Sequence, residues 1–242
     1  MKHSKSLQRR LPALAAGFAA LALVGTLLSP WADPAGAQPP QKKAGAQPSP
    51  AAVKPVSADK ALFRLKEGNK RYVSGHVQRM SRLHDRPLEL DGVQYPMAEI
   101  VACSDSRVDP TLAFDQGWGN LFVTRLAGNV VDNIVLASTE YAVTALHTKL
   151  IVVLGHEKCG AVQAAMSGKK LDGHLAELMD MIRPAVEQTR EMSGDAEENC
   201  IVANVRLGMK AIASDPTVKA QPGVMIKGAV YQFDTGEVQW VP

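Results

Sequence analysis

Two short stretches decide how this chain folds around a site, Cys103-Ser104-Asp105-Ser106-Arg107 and His156-Glu157-Lys158-Cys159. Each follows an apolar run of strand length. Two thiols and one imidazole form a natural ligand set for zinc, since thiolate sulfur and imidazole nitrogen both suit that ion. Three protein ligands leave one tetrahedral position free, which is typical of a catalytic site. The sequence therefore predicts one zinc ion per chain, held by Cys103, His156 and Cys159.

Asp105 and Arg107 place a carboxylate and a cation beside the predicted open position. We expect both side chains to act on whatever binds there. Two alternatives stay open from the residues alone. Asp105 could complete a purely structural zinc site as the fourth ligand, or the two charges could form only a turn-stabilising ion pair.

The order of predicted elements indicates an α/β fold. A helix begins near Ser57, and the chain then alternates between strands and helices up to a C-terminal β-hairpin. This order predicts a mostly parallel central sheet flanked by helices on both faces. Both metal motifs follow strands, and ligands in such sheets bind beyond the carboxyl ends of the strands. The predicted strands are 96–102, 121–125, 150–154, 224–233 and 238–241; the main predicted helices are 57–75, 110–114, 130–147, one beginning at 159–162, 171–192 and 196–213. Pro184 is expected to bend or break helix 171–192.

The first 37 residues have the layout of a secretory signal peptide. Residues 1–10 are basic, residues 11–28 are apolar, and Ala35-Gly36-Ala37 forms a small-x-small cleavage site. An uncleaved membrane anchor is the competing interpretation, and Arg9-Arg10 leaves twin-arginine export open. Residues 38–56 are rich in Pro, Ala, Gln and Lys and predict a disordered spacer. The catalytic domain is then expected at 57–242, outside the cytoplasm: in the periplasm, or secreted from a single-membrane host, with no stable membrane association after cleavage.

Charge and cysteine content argue against two classes of protein. The full chain has a formal net charge of +3, but its first 37 residues hold four basic and one acidic side chain. The remainder carries 23 of each sign, so the sequence gives no support for nucleic-acid binding. Three cysteines in a chain of 242 residues also argue against a disulfide framework. Cys200 lies in a helical pattern, and we expect it to be a buried thiol.

With these motifs in place, the chain resembles a beta-class carbonic anhydrase, in a bacterial, exported form. The resemblance runs from about Ser57 to Trp240. It is carried by Ala61-Leu62-Phe63-Arg64-Leu65-Lys66-Glu67-Gly68-Asn69, Cys103-Ser104-Asp105-Ser106-Arg107-Val108, Arg125-Leu126-Ala127-Gly128-Asn129 and Gly155-His156-Glu157-Lys158-Cys159-Gly160-Ala161-Val162.

This resemblance implies zinc-dependent, reversible hydration of carbon dioxide to bicarbonate and a proton. Zinc-bound hydroxide would attack carbon dioxide, with Asp105 orienting it and Arg107 keeping Asp105 off the metal. In a closed state of the family, the equivalent of Asp105 is the fourth zinc ligand. The resemblance also implies a homodimer or a larger homo-oligomer. Ile100 departs from the bicarbonate-inhibited subtype, which typically has Trp there, so that regulatory pocket is not expected.

Two alternative functions remain open, and four residues near the predicted site have expected roles. A related zinc hydrolase acting on carbonyl sulfide or carbon disulfide, or a non-catalytic zinc-binding protein, remain alternatives. Glu157 and Lys158 are expected to be solvated loop charges. Arg125 and Asn129 are expected to hold the loop that shapes the site, with direct substrate contact as the alternative.

Overall fold

The computed structural model describes residues 55–78 and 93–242, which form one five-stranded sheet with helices on both faces. The strands are β1 (Ala98–Cys103), β2 (Leu121–Leu126), β3 (Leu150–His156), β4 (Met225–Tyr231) and β5 (Val238–Val241). The helices are α1 (Ala58–Val73), α2 (Pro110–Ala113), α3 (Asn133–Thr144), α4 (Gly160–Met166), α5 (His174–Thr189), α6 (Ala196–Ser214) and α7 (Pro216–Lys219).

The strand order is β2-β1-β3-β4-β5, and the first four strands run parallel. β4 turns back into β5 as an antiparallel hairpin. The predicted α/β fold, with its mostly parallel sheet, N-terminal helix and C-terminal hairpin, is confirmed.

The two central strands of the site, β1 and β3, are buried along their whole length. Their apolar side chains alternate between two cores, because successive residues of a strand point to opposite faces. Val101 and Val153 pack on the side of α5 and α6, while Ile100 and Val152 pack on the side of α1. Burial on both faces explains why these segments are continuous apolar runs.

Parallel pairing of β1 with β3 sets the position of the site. Ala102 is opposite Leu154 in the register, so Cys103 and His156 lie near each other at the same carboxyl edge. Backbone pairing of the two strands thereby brings together two residues that are 53 positions apart in sequence.

Several predicted boundaries were too wide. α3 covers 133–144 instead of 130–147, because the Asp132 carboxylate accepts the amides of Ile134 and Val135 and so begins the helix there. α5 begins at His174 and ends at Thr189 instead of covering 171–192.

Of the two outcomes expected for Pro184, a bend or a break in helix α5, the break was wrong. Met179 and Ile182 are buried before Pro184, and Ala185 and Thr189 are buried after it. Packing on both sides keeps the helix continuous despite the backbone hydrogen bond that proline removes.

The predicted signal peptide at 1–37 and most of the spacer at 38–56 lie outside the described residues, as do residues 79–92. Helix α1 begins at Ala58, and the Ser57 side chain caps it by accepting the backbone N–H of Lys60. No helix within 55–78 and 93–242 has the length and apolar character to cross a membrane. Cys200 is fully buried in α6, as expected.

Candidate metal centre

Three potential ligands meet at the carboxyl edge of the sheet. Cys103 is the last residue of β1, His156 is the last residue of β3, and Cys159 directly precedes α4. Their two sulfurs and one imidazole nitrogen lie within 4.8 Å of one another, and all three residues are buried. The structure thus brings together the three residues that the sequence predicted as a zinc site.

The His156 imidazole is oriented for ligation. Its Nδ1 lies 2.8 Å from the Glu157 carbonyl oxygen, which can only accept a hydrogen bond, so Nδ1 carries the proton. The other nitrogen, Nε2, is buried and has no hydrogen-bond partner among the described residues. An unsatisfied buried nitrogen is costly unless something binds it. A carbonyl that holds the opposite ring nitrogen is the usual support of a metal-binding histidine.

The Cys103 thiol is activated by its surroundings. Hydrogen bonding with the neighbouring Cys159 thiol is the largest cause that lowers its pKa, to about 4. The Gly128 amide also donates to Cys103 Sγ, at 3.2 Å. Cys159 keeps its proton, because the adjacent Cys103 sulfur raises its pKa. A metal ion bound by both sulfurs would displace this second proton, since a coordinating thiol is deprotonated.

These residues fit a zinc ion. The donor set is two sulfurs and one nitrogen, which favours zinc over the hard cations that prefer oxygen. The donors are close together, the histidine tautomer leaves Nε2 free, and one thiol is already disposed to ionise.

Asp105 and Arg107 form an ion pair beside this cluster. The Arg107 guanidinium donates from Nε and Nη2 to the two carboxylate oxygens of Asp105, in a bidentate arrangement. These hydrogen bonds hold the pKa of Asp105 well below its usual range, so the carboxylate is ionised at neutral pH. Its Oδ2 lies 3.8 Å from Nε2 of His156. A fixed negative charge therefore stands next to the three potential ligands.

Arg125 holds the loop that carries these groups. Its guanidinium donates to the carbonyl oxygens of Cys103, Asp105 and Val108, at 2.9, 2.6 and 2.8 Å. The loop after β1 is thereby tied to β2, as expected for Arg125. Asn129 lies three residues after β2, is buried and has a positive φ of 45°.

Comparison with known proteins agrees with this geometry. The profile of the family described as Carbonic anhydrase matches residues 98–238. The chain is 40% identical over 190 residues to Carbonic anhydrase 2 of Mycobacterium tuberculosis. The aligned region covers 75% of this chain and 90% of that protein. It is 38% identical over 196 residues to a carbonic anhydrase of Mycolicibacterium smegmatis, covering 76% and 92% of the two chains.

The fold is also similar to that of solved structures. One of two tetrameric beta-carbonic anhydrases from the ascomycete Sordaria macrospora superposes with a TM-score of 0.58 at 29% identity, covering 62% of this chain and 82% of that one. The chain belongs to the beta-class carbonic anhydrase family. All the motifs that carried the resemblance in the sequence are in the described residues.

One expectation for this carbonic anhydrase was wrong. Glu157 is not a solvated loop charge, because its carboxylate accepts the backbone N–H of Phe233 at 2.7 Å and its side chain is only 22% exposed. Lys158 does reach solvent, with its ammonium between Glu157 and Asp234. The prediction failed because the hydrogen-bond partner of the Glu157 carboxylate lies 76 residues away in sequence, and a position in a loop gives no sign of such a contact.

Two further residues of this carbonic anhydrase were missed at the sequence level. Asn204 of α6 donates to the Gly128 carbonyl oxygen at 2.7 Å and so supports the backbone whose amide reaches Cys103. A buried asparagine in an apolar helix was the available signal. Phe233 contacts both His156 and Arg107, and no sequence pattern indicated this.

Proposed function

We propose that this protein catalyses the reversible hydration of carbon dioxide to bicarbonate and a proton, using one zinc ion held by Cys103, His156 and Cys159. Family membership supports carbon dioxide as the substrate. The observation that carries the proposal at the level of residues is the ionised Asp105 carboxylate, held by Arg107 at 3.8 Å from the free nitrogen of His156.

The division of labour follows from the chemistry of each group. A bound zinc ion supplies a Lewis acid that brings the pKa of a coordinated water to about 7. Asp105 accepts a hydrogen bond from the reacting water and thereby directs its lone pair at the carbon of carbon dioxide. Asp105 stays ionised throughout, because its pKa is far below neutral pH.

Arg107 prevents Asp105 from occupying the substrate position. A carboxylate is itself a good zinc ligand. With both its oxygens bonded to Arg107, Asp105 is held in a geometry suited to accepting a hydrogen bond. Release of Arg107 would allow Asp105 to become the fourth ligand, which is the closed state that the family resemblance implies.

We also infer self-association as a homodimer or a larger assembly. Ile134 and Leu112 are apolar side chains that are 73% and 62% exposed, and a second copy would cover them. Replacing Ile134 with Asp should lower the mass of the assembly in analytical ultracentrifugation. An unchanged mass for this variant would argue against an interface at Ile134.

A stopped-flow assay of carbon dioxide hydration on the zinc-loaded protein tests the proposed activity. We expect rapid hydration that the Cys159→Ser variant lacks. Hydrolysis of carbonyl sulfide or carbon disulfide without carbon dioxide hydration would replace the proposal with the related hydrolase. A zinc-loaded protein inactive on all three substrates would indicate a non-catalytic zinc-binding role.

A further inference from the structure

Phe233 lies between the two halves of the site. The Arg107 guanidinium carbon is 4.3 Å from the centre of the Phe233 ring, on its face. The same ring meets the His156 imidazole edge-on, with centroids 5.5 Å apart. Phe233 follows β4 and is more than 120 residues from Arg107 in sequence.

We propose that Phe233 is a positioning residue, whose ring holds Arg107 in the orientation that binds Asp105. The inference rests on the proposed function, because Asp105 must be kept off the metal for the reaction to proceed.

The Asp105–Arg107 pair needs such support. The Arg107 side chain is 53% exposed, and exposed ion pairs are individually weak because water and salt compete with them. Among the residues that the structure describes, the guanidinium has one hydrogen bond besides those to Asp105, a 3.3 Å contact from Nη2 to the Lys158 carbonyl oxygen. A cation over an aromatic face is attracted by the ring quadrupole. The N–H groups of a guanidinium point outward in its plane. The Phe233 ring therefore restricts the Arg107 guanidinium from one face, which hydrogen bonds in the plane do not cover.

The ring can act this way because it is itself fixed. The Phe233 backbone N–H donates to Glu157 Oε1 at 2.7 Å. Its ring also packs edge-on against Tyr231, at 5.7 Å between centroids and 82° between planes. Glu157 is adjacent to His156, so this hydrogen bond ties the Phe233 backbone to the segment that carries a metal ligand. A displacement of that segment is transmitted to Arg107 through Phe233.

Three variants separate positioning from simple packing. Phe233→Leu keeps an apolar side chain but has no π face, whereas Phe233→Tyr keeps the face. We expect Phe233→Leu to keep its zinc and lose about tenfold in kcat with little change in KM, and Phe233→Tyr to recover most of the loss. Trp240→Leu is the matched control: Lys66 lies 5.5 Å from the Trp240 ring centre, outside the predicted site. It should lower stability and leave kcat unchanged.

A double mutant shows whether Phe233 acts through Arg107. If it does, adding Phe233→Leu to Arg107→Ala costs little further activity, because the group that the ring positions is already absent. An equal fold-loss in both backgrounds, or wild-type kcat in Phe233→Leu alone, would overturn the proposal.

The cobalt-substituted protein supplies a readout that needs no turnover. Visible absorption of cobalt reports the number and type of its ligands. We expect the Phe233→Leu spectrum to shift in the direction of the Arg107→Ala spectrum, as Asp105 approaches the ion, and the Phe233→Tyr spectrum to match wild type. A Phe233→Leu spectrum identical to wild type contradicts the inference even if carbon dioxide is not the substrate. Absence of hydration activity in wild type contradicts the proposed function alone.

Discussion

Arg107 and Asp105 are joined by three hydrogen bonds across only two positions of sequence. The Arg107 backbone N–H and Nε both donate to Oδ1 at 2.9 Å, and Nη2 donates to Oδ2 at 2.7 Å. The backbone contact closes a tight turn, and the side-chain contacts orient the carboxylate. Neither oxygen of Asp105 is left without a donor, so the carboxylate has a partner competing with any metal ion.

Arg107→Ala tests this competition. We expect the variant to keep its zinc and to lose roughly a hundredfold or more in kcat, comparable to the removal of a preorganised electrostatic group. The matched control is Arg183→Ala, which removes an arginine paired with Asp180 on the exposed side of α5. A crystal structure of zinc-loaded Arg107→Ala with Asp105 far from the metal would count against the gating role.

Cys159→Ser tests the ligand set. The change should remove most of the zinc and all of the activity, because a serine hydroxyl does not replace a thiolate in such a site. Cys200→Ala is the control, since Cys200 is an equally buried thiol in α6 and is not part of the cluster. Elemental analysis decides the matter: one zinc per chain in Cys159→Ser would refute the assignment.

Because Glu99 is buried, we expect the free energy of unfolding to depend on pH in a way that is independent of the metal centre. Its side chain is fully buried in β1, Oε1 accepts from Thr139 at 3.0 Å, and Oε2 has no partner among the described residues. Burial raises the pKa of this carboxyl from 4.5 to about 7. Below pH 4.5 the group is protonated in both folded and unfolded chains. Between pH 4.5 and 7 the unfolded chain ionises first, so the free energy of unfolding falls by about 3 kcal/mol and stays lower above pH 7.

Glu99→Gln should remove this pH dependence. The free energy of unfolding of the variant minus that of wild type is expected to rise by about 3 kcal/mol between pH 4.5 and pH 8, as measured by denaturant unfolding. Contributions shared by both proteins cancel in the difference. A difference that does not change with pH would contradict a protonated carboxyl in β1.

The predicted signal peptide at 1–37 implies a location outside the cytoplasm. Residues 1–37 should be removed on export, so that the mature protein begins near Gln38 in the periplasm or the medium. N-terminal sequencing after cell fractionation checks this. Recovery from the cytoplasm with residues 1–37 attached would refute export, and recovery from membranes with the leader intact would favour an anchor.

The sequence predicted much of this site because its main elements are local. Cys103, Asp105 and Arg107 lie within five residues, and the apolar runs before Cys103 and His156 indicate where each strand ends. Once parallel strands are expected, both ends must share one edge of the sheet. The family motifs then supplied the chemistry.

What the sequence did not predict depends on contacts between distant segments. The order of strands places β1 between β2 and β3, and no local pattern specifies those neighbours. Glu157 and Phe233 meet only because β3 pairs with β4. The continuity of α5 past Pro184 likewise depends on tertiary packing, which overrides the local preference of proline.

The pairing of β1 with β3 has a kinetic consequence. Their paired residues are roughly fifty positions apart, and loop-closure entropy makes such parallel pairings slow to form. The β4–β5 hairpin closes through a short turn and can form early. The three ligands cannot converge until β1 and β3 have paired, so zinc capture during refolding should follow that pairing. An ion that binds the folded chain and not the unfolded one stabilises the folded state, so bound zinc would oppose separation of the two strands that carry Cys103 and His156.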